Sequence, residues 1–206
     1  MPPEAAKPHS VSELIHPVFG LRLGDPCHGL SRAWLAMGCF WGAERLFWRL
    51  PGVRLTAVGY LGGWTDAPSY EAVCTGNTGH AETVMVVFDE RSLPYEALLA
   101  AFFEGHDPTQ GWRQGNDVGS QYRSLIACAD ETQYRLAVQC RDAYGQALTA
   151  AGFGPITTEI LFPAPPFHFA EAYHQQYLFH RPTGYCGLQG TGVRCPVGRA
   201  HAPEQP

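Results

Sequence analysis

The sequence predicts an α+β protein, a two-layer sandwich in which a mixed sheet carries its helices mainly on one face. Apolar runs of strand length alternate with stretches whose apolar residues recur at helical spacing. From Trp34 to Cys128 the order of these segments is β-α-β-β-α-β. That order is the split βαβ, or ferredoxin-like, arrangement, and a further helix and strand extend it. A chain of 206 residues, 45% of them hydrophobic, can bury one sizeable core.

The chain divides into a central domain and two flanking segments. Residues 1–31 are rich in proline, glycine and short polar residues, and we expect them to form an extended N-terminal arm. Residues 32–180 hold the periodic segments and form the domain. Residues 181–206 are rich in glycine, carry two cysteines and predict a flexible C-terminal tail.

Each predicted element in the first half of the chain is indicated by a local sequence pattern. Residues 33–37 are a short apolar run, which is typical of a buried strand. An amphipathic helix follows and ends at Pro51-Gly52. Residues 53–60 are rich in β-forming side chains and predict a second strand. The long loop of residues 61–79 contains aromatic residues, which favour a functional loop over a disordered one.

The middle of the chain repeats the alternation. Residues 79–88 predict a third strand, which is apolar on both faces from Thr83 onward, as expected for a central strand. Residues 94–104 predict a helix, and residues 105–120 predict a polar, glycine-rich loop. Residues 122–128 then predict another strand.

A long helix begins after Asp130, a good N-cap residue, and ends at Gly152. Its predicted apolar stripe consists of Leu136, Cys140, Ala143, Ala147 and Ala150. Residues 156–162 predict a further strand, and residues 169–179 a short helix.

Cys39 stands where the first strand ends and the first helix begins. Unpaired N–H groups and the helix dipole favour an anion at that position. A thiol there forms a thiolate, the reactive species, more easily. A buried structural cysteine fits this stretch equally well, because most free cysteines are buried.

Glu82 is in phase with the apolar residues Val84, Val86 and Phe88 of the third strand. A carboxyl group in such a position is partly desolvated, which raises its pKa. A protonated Glu82 can then act as an acid near neutral pH. A solvated glutamate at the strand end is the alternative.

Composition excludes several classes of protein. The formal net charge is −5 and no block of lysine and arginine stands out, which argues against nucleic-acid binding. Residues 1–8 lack the apolar core of a signal peptide, and no apolar run has the length of a membrane span. We therefore expect a soluble protein of a reducing compartment.

Cysteine usage points to redox chemistry rather than to a disulfide framework. The chain has seven cysteines, and an odd count argues against full pairing. No Cys-x-x-Cys pair occurs, so a zinc ribbon is not expected. Cys140 is interpreted as core packing, whereas Cys186 and Cys195 lie in the glycine-rich tail, where sulfur can travel.

Three functions are compatible with these residues. A thiol oxidoreductase uses one thiolate on the substrate and further thiols to resolve the product as a disulfide. A cysteine hydrolase needs a base, for which His80 or His106 is available. A non-enzymatic domain with a metal or disulfide in its tail leaves Cys39 and Glu82 unexplained.

The chain resembles the type A peptide methionine sulfoxide reductases. The match begins with Gly38-Cys39-Phe40-Trp41-Gly42-Ala43-Glu44 and covers nearly the whole chain after the first few residues. It continues through Gly79-His80-Ala81-Glu82, 106–110, 114–117, 119–124, 174–178 and Gly184-Tyr185-Cys186-Gly187. The presence of all these motifs in order makes the resemblance specific. In this family the tail often reads Gly-Val-Cys, whereas here Arg194 precedes Cys195.

The resemblance implies catalytic roles for seven residues. Cys39 attacks the sulfur of methionine sulfoxide and becomes a sulfenic acid, and Glu82 gives a proton to the oxygen. Tyr70 and Tyr122 hydrogen-bond that oxygen, and Asp117 holds the polar network. Cys186 then forms a disulfide with Cys39, and Cys195 takes over Cys186.

The resemblance also implies the surroundings of the reaction. Phe40 and Trp41 hold the substrate methyl group, and no metal or bound cofactor is needed. Thioredoxin is the external reductant. The implied substrates are oxidised proteins and free methionine sulfoxide, in the S epimer. We expect a cytoplasmic monomer that binds neither nucleic acid nor membrane.

Overall fold

The computed structural model describes residues 10–198. Its strands are β1 (Ser31–Met37), β2 (Val53–Leu61), β3 (Ala81–Phe88), β4 (Arg113–Gln114), β5 (Asp117–Val118), β6 (Ser124–Ala127), β7 (Glu159–Leu161) and β8 (Phe167–Phe169). Its α-helices are α1 (Phe40–Trp48), α2 (Tyr70–Cys74), α3 (Tyr95–Gly105), α4 (Glu131–Ala150) and α5 (Tyr177–His180). Among the described residues, no helix is both long and apolar enough to cross a membrane.

Six of the strands form one sheet, in the order β7-β6-β1-β3-β2-β8. All neighbours are antiparallel except β6 and β7, which are parallel. The prediction of an α+β fold with a mixed sheet is therefore confirmed. In the register of β2 and β3, Tyr60 pairs with Glu82, which places the predicted acid at the end of the central hairpin.

Helices α1, α3 and α4 cover one face of this sheet and share its largest apolar cluster. The predicted stripe of α4 was shifted, because Ala150 is exposed and Leu136 and Ala147 are only partly buried. The buried positions of α4 are Gln133, Ala137, Cys140, Tyr144 and Leu148. The helix turns larger side chains to the core than the alanine pattern suggested.

The opposite face is covered by the N-terminal arm rather than by helices. Leu23 and Cys27 of the arm pack against Leu55, Ala57 and Met85 of β2 and β3. The arm is less extended than predicted, because it contains a 3₁₀ turn at Val11–Glu13 and an antiparallel bridge between Ile15 and Arg22. Residues 1–9 of the predicted arm lie outside the described residues.

Short elements replace some of the predicted loops. The loop of residues 61–79 contains α2, capped by the Ser69 side chain, which accepts a hydrogen bond from the Ala72 N–H. The loop of residues 105–120 contains the β4–β5 hairpin. The predicted helix at 169–179 was wrong over most of its length. Phe169 belongs to β8, which pairs with the edge of β2, residues 172–176 form turns, and α5 begins only at Tyr177.

Candidate active site

Cys39 occupies the N-cap position of α1, directly after β1. Gly38 makes this sharp turn possible because its φ is +101°, a region that favours glycine. A Cβ atom at Gly38 would also lie 2.8 Å from the Gln114 side chain. The predicted junction of strand, cysteine and helix is therefore present.

Glu82 lies beside this helix terminus, with only 2% of its surface exposed. Its Oε2 accepts a hydrogen bond of 3.0 Å from the backbone N–H of Phe40, the residue next to Cys39. Burial raises the pKa of Glu82 to about 8; the Phe40 hydrogen bond opposes this rise and the charge of Asp117 adds to it. The carboxyl group is therefore largely protonated at neutral pH.

The pKa of the Cys39 thiol moves opposite to the sequence prediction. Burial raises it, and the nearby carboxyl of Glu82 adds to the rise. Hydrogen bonds from the backbone of Trp41 and Gly42 lower it, as expected at a helix N-terminus. The effect that the sequence indicated is thus present, but desolvation outweighs it, since charge is disfavoured in a buried site.

Two half-buried tyrosines accompany Glu82. Tyr70 is the first residue of α2, and Tyr122 lies in the 3₁₀ turn before β6. Burial raises the pKa of both phenols, and the charge of Glu82 contributes to both shifts. Both side chains therefore remain protonated near Glu82 and can donate hydrogen bonds.

Asp117 and Cys186 close another side of the site. The hydroxyl of Tyr185 donates a hydrogen bond of 3.0 Å to Oδ2 of Asp117 and so ties the β4–β5 hairpin to the residue before Cys186. The Cys186 sulfur lies over α1, because a Cβ atom at Gly42 would be 2.8 Å from it. Glycine at position 42 makes room for a second thiol near Cys39.

Phe40 and Trp41, the predicted substrate-binding pair, differ in their exposure. Phe40 is buried in the core cluster, whereas Trp41 is partly exposed and stacks on Tyr177 at 3.9 Å between ring centroids. The indole N–H of Trp41 donates to Nδ1 of His174 at 3.1 Å. Trp41 is therefore held in a fixed orientation at the rim, and the ring of Phe40 lies beside the same imidazole of His174, with 5.1 Å between centroids.

Sequence reasoning assigned no role to Glu171, which links three parts of the site. Its carboxylate accepts hydrogen bonds from the hydroxyl of Tyr60 and the N–H of Tyr70, both at 2.8 Å. It also lies 4.0 Å from Nε2 of His174. No sequence signal marked Glu171, because it lies between β8 and α5, where the apolar periodicity is weak.

Glu44 was likewise present in the recognised motif without a role. It is fully buried and accepts hydrogen bonds from Thr56 and from both the backbone and the side chain of Gln176. Burial raises the pKa of Glu44 to about 7. His16 of the arm contacts Thr56 at 2.9 Å, so one polar chain connects the arm, β2, α1 and α5.

Some candidate residues lie away from this site. Cys195, predicted to travel in a flexible tail, is fully buried with its Sγ 3.5 Å from that of Cys140. His106 is buried between Phe102 and Ser124, and His80 packs edge-on against His168. Within residues 10–198, neither histidine hydrogen-bonds Cys39, which disfavours the hydrolase interpretation.

The fold and the site together define a thiol-based oxidoreductase. A cysteine lies at a helix N-terminus, a buried acid lies beside it, and a second thiol lies nearby. The family model for peptide methionine sulfoxide reductase matches residues 31–204. The chain belongs to this family, and it is an enzyme that reduces methionine sulfoxide by means of thiols.

Individual relatives agree with this assignment. The chain is 57% identical over 183 residues to peptide methionine sulfoxide reductase MsrA of Xanthomonas campestris, covering 89% of this chain and 85% of the relative. An MsrA of Caulobacter vibrioides is 58% identical over 184 residues, covering 89% and 84%. Methionine sulfoxide reductase A of Corynebacterium diphtheriae has the same fold, with a TM-score of 0.80, 44% identity and 93% of each chain covered.

A more distant solved structure is Mxr1 of Saccharomyces cerevisiae in its reduced form. It is 32% identical, with a TM-score of 0.71, and the match covers 80% of this chain and 94% of that one. The yeast protein has also been solved in complex with Trx2.

Proposed function

We propose that Cys39 and Glu82 together reduce methionine-S-sulfoxide, protein-bound or free, to methionine. The observation that carries this proposal is the buried Glu82 carboxyl, held 3.0 Å from the backbone of the residue after Cys39. A sulfoxide oxygen must be protonated to leave sulfur. A carboxylic acid that keeps its proton at neutral pH is suited to that task.

In the first step, the Cys39 sulfur attacks the sulfoxide sulfur and the sulfoxide oxygen takes the proton of Glu82. The thiol proton of Cys39 passes to the Glu82 carboxylate. The hydroxyl group then moves from the substrate sulfur to the Cys39 sulfur as the S–S bond formed on attack breaks. The products are methionine and the Cys39 sulfenic acid, so sulfur of the substrate is reduced and sulfur of the enzyme is oxidised. Because burial disfavours a free thiolate, this proton transfer accompanies attack.

Neighbouring residues orient and stabilise the substrate. Tyr70 and Tyr122 donate hydrogen bonds to the sulfoxide oxygen as negative charge develops on it. Trp41 offers an aromatic face to the substrate methyl group, since sulfur–aromatic and apolar contacts are favourable there. Phe40 provides a second aromatic face for the same methyl group, and Asp117 holds Tyr185 and with it the segment before Cys186.

In the second step, the Cys186 thiol attacks the Cys39 sulfenic acid. A Cys39–Cys186 disulfide forms and water leaves. The position of the Cys186 sulfur over Gly42 supports this assignment. Cys195 then acts as a third thiol of the relay after its segment leaves the core, and thioredoxin reduces the enzyme.

The remaining features of the proposal concern the whole protein. We infer a cytoplasmic monomer without a bound cofactor, with a catalytic domain at 32–180 between the arm and the redox tail. The strand order β6-β1-β3-β2 within the sheet supports a ferredoxin-like core. The substrates and the epimer follow from the family assignment.

The test is a thioredoxin-coupled assay that follows NADPH consumption with the S and R epimers of an N-blocked methionine sulfoxide. Turnover with the S epimer alone is expected, and Cys39→Ser should abolish it. Turnover with the R epimer alone would overturn the epimer assignment. If neither epimer is turned over, a single-turnover reaction with dithiothreitol separates a failed relay, which still yields methionine, from a wrong function, which does not.

A further inference from the structure

The C-terminal residues 186–198, here called the tail segment, are seated between α3 and α4. The Cys195 N–H donates a hydrogen bond of 2.6 Å to the carboxylate of Glu104 on α3. The hydroxyl of Tyr144 on α4 lies 2.9 Å from that of Thr191 and donates to the carbonyl of Val193 at 3.1 Å. The tail segment thus has a defined seat in the reduced protein.

Within this seat two thiols are in contact. The Sγ atoms of Cys140 and Cys195 are 3.5 Å apart, and both residues have 0% of their surface exposed. Cys140 lies in the middle of α4, which fixes its side chain, whereas Cys195 arrives on the tail segment. A disulfide between two such sulfurs requires only a small approach.

We propose that Cys140 and Cys195 are a second redox pair, which takes over the disulfide formed between Cys39 and Cys186. This inference rests on the proposed roles of those two cysteines. The sequence interpretation treated Cys140 as core packing and Cys195 as the thiol that takes over Cys186. The contact instead makes Cys140 the partner to which Cys195 returns.

The transfer balances in two exchange steps. The Cys195 sulfur first attacks the Cys186 sulfur, which breaks the Cys39–Cys186 bond and releases Cys39, and the proton lost by Cys195 goes to Cys39. The Cys140 sulfur next attacks the Cys195 sulfur, and its proton goes to the released Cys186. Two thiols are oxidised and one disulfide is reduced, so methionine sulfoxide is the only oxidant required.

The seat supplies the reason for the second step. Cys195 leaves it to reach Cys186, and the contacts with Glu104 and Tyr144 favour its return to Cys140. A Cys140–Cys195 disulfide is buried while the tail segment is seated, so thioredoxin reduces it only after this segment leaves the seat again. Cys39 and Cys186 are thiols again, so the protein can reduce a second sulfoxide before any reductant arrives.

The experiment uses the full chain after complete reduction and removal of the reductant. Excess N-blocked methionine-S-sulfoxide is added, the thiols are alkylated in denaturant, and disulfides are mapped by mass spectrometry. The expected result is two disulfides, Cys39–Cys186 and Cys140–Cys195. Of the seven cysteines, three are then alkylated: Cys27, Cys74 and Cys128.

Other outcomes are distinguishable. A Cys186–Cys195 disulfide with Cys140 alkylated would overturn the second pair but not the relay. A Cys39–Cys186 disulfide alone, with Cys140 and Cys195 both alkylated, would also overturn it. Absence of any methionine would instead overturn the proposed function itself.

Variants provide a matched control. Cys140→Ala should halve the number of disulfides under the same conditions, from two to one. Cys128→Ala removes another buried thiol, which lies 3.9 Å from the Tyr95 hydroxyl, and should leave both disulfides. An equal loss in both variants would indicate a packing defect and overturn the specific role of Cys140, and the wild-type disulfide map does not depend on either variant folding.

Discussion

Glu44 on α1 and Glu82 on β3 are two buried carboxyl groups that differ in their hydrogen bonds. Glu44 accepts three, from the Thr56 hydroxyl at 3.0 Å and from the Gln176 side chain and backbone at 2.8 and 2.9 Å. Among the described residues, Glu82 accepts one, from Phe40. Burial raises both pKa values, to about 7 for Glu44 and about 8 for Glu82.

The comparison shows that desolvation can produce either a carboxyl group that fixes its neighbours or one whose proton is available for transfer. Desolvation disfavours charge on both carboxyls. The oxygens of Glu44 are occupied by donors, so this residue fixes the positions of Thr56 and Gln176. Glu82 keeps hydrogen-bonding capacity toward Cys39 and the tyrosines, so its proton is available for transfer.

Glu82→Gln should give the largest effect, a loss of about 10²–10⁴-fold in the rate of the first step, since general acid catalysis contributes that much. Glutamine can still accept the Phe40 hydrogen bond, so stability should change little. The measurement is methionine formation in a single turnover. An unchanged rate would contradict the role of Glu82 as the acid.

The pH dependence of the same rate sharpens this prediction. Glu82 with a pKa of about 8 carries its proton below that pH, so the wild-type rate should fall as the pH rises through about 8. The glutamine variant has no proton to lose at this position and should lack that fall. A fall of the same size in both proteins would show that another group titrates.

Glu44→Gln should affect stability rather than the rate of the first step. We expect a loss of about 1–3 kcal/mol in the free energy of unfolding, because one buried donor loses its acceptor. The difference in unfolding free energy between the wild type and this variant should become smaller as the pH rises through about 7. Folded Glu44 releases its proton there, whereas the unfolded carboxyl is already ionised, so the wild type loses stability. Thermal unfolding at pH 6 and pH 9 tests this, and a cost that grows with pH would contradict it.

Thr56→Val should have the smallest effect, about 1 kcal/mol, because it removes one of the three donors to Glu44 together with the hydroxyl that contacts His16. In a double-mutant cycle with Glu44→Gln, the two losses should add up to more than the loss in the double variant. Strict additivity of the unfolding free energies would show that Thr56 and Glu44 are not coupled.

Sequence reasoning predicted the long elements well and the short ones poorly. Helices α1, α3 and α4 and strands β1, β2 and β3 lie within about three residues of their predicted bounds, because apolar periodicity specifies them. Beyond residue 150 the pattern weakens, and long-range contacts decide. β8 forms because it pairs with β2, and Gln176, which precedes α5 with a φ of +48°, is held by Glu44.

The same division applies to the site. The place of Cys39 follows from its immediate neighbours and was predicted, and the phase of Glu82 along β3 indicated its burial. The net direction of the Cys39 pKa was predicted wrongly, since burial depends on parts of the chain that a local pattern does not include. The contact of Cys140 with Cys195 spans 55 positions without a motif, so no local signal marked it.

The N-terminal arm determines where the chain can be shortened without exposing its sheet. The family model begins at residue 31, yet residues before it cover Leu55, Ala57 and Met85 and provide His16 to Thr56. A fragment starting at residue 31 would keep every proposed catalytic residue and expose one face of its sheet. The part of the chain that the family model covers is therefore shorter than the part that folds together.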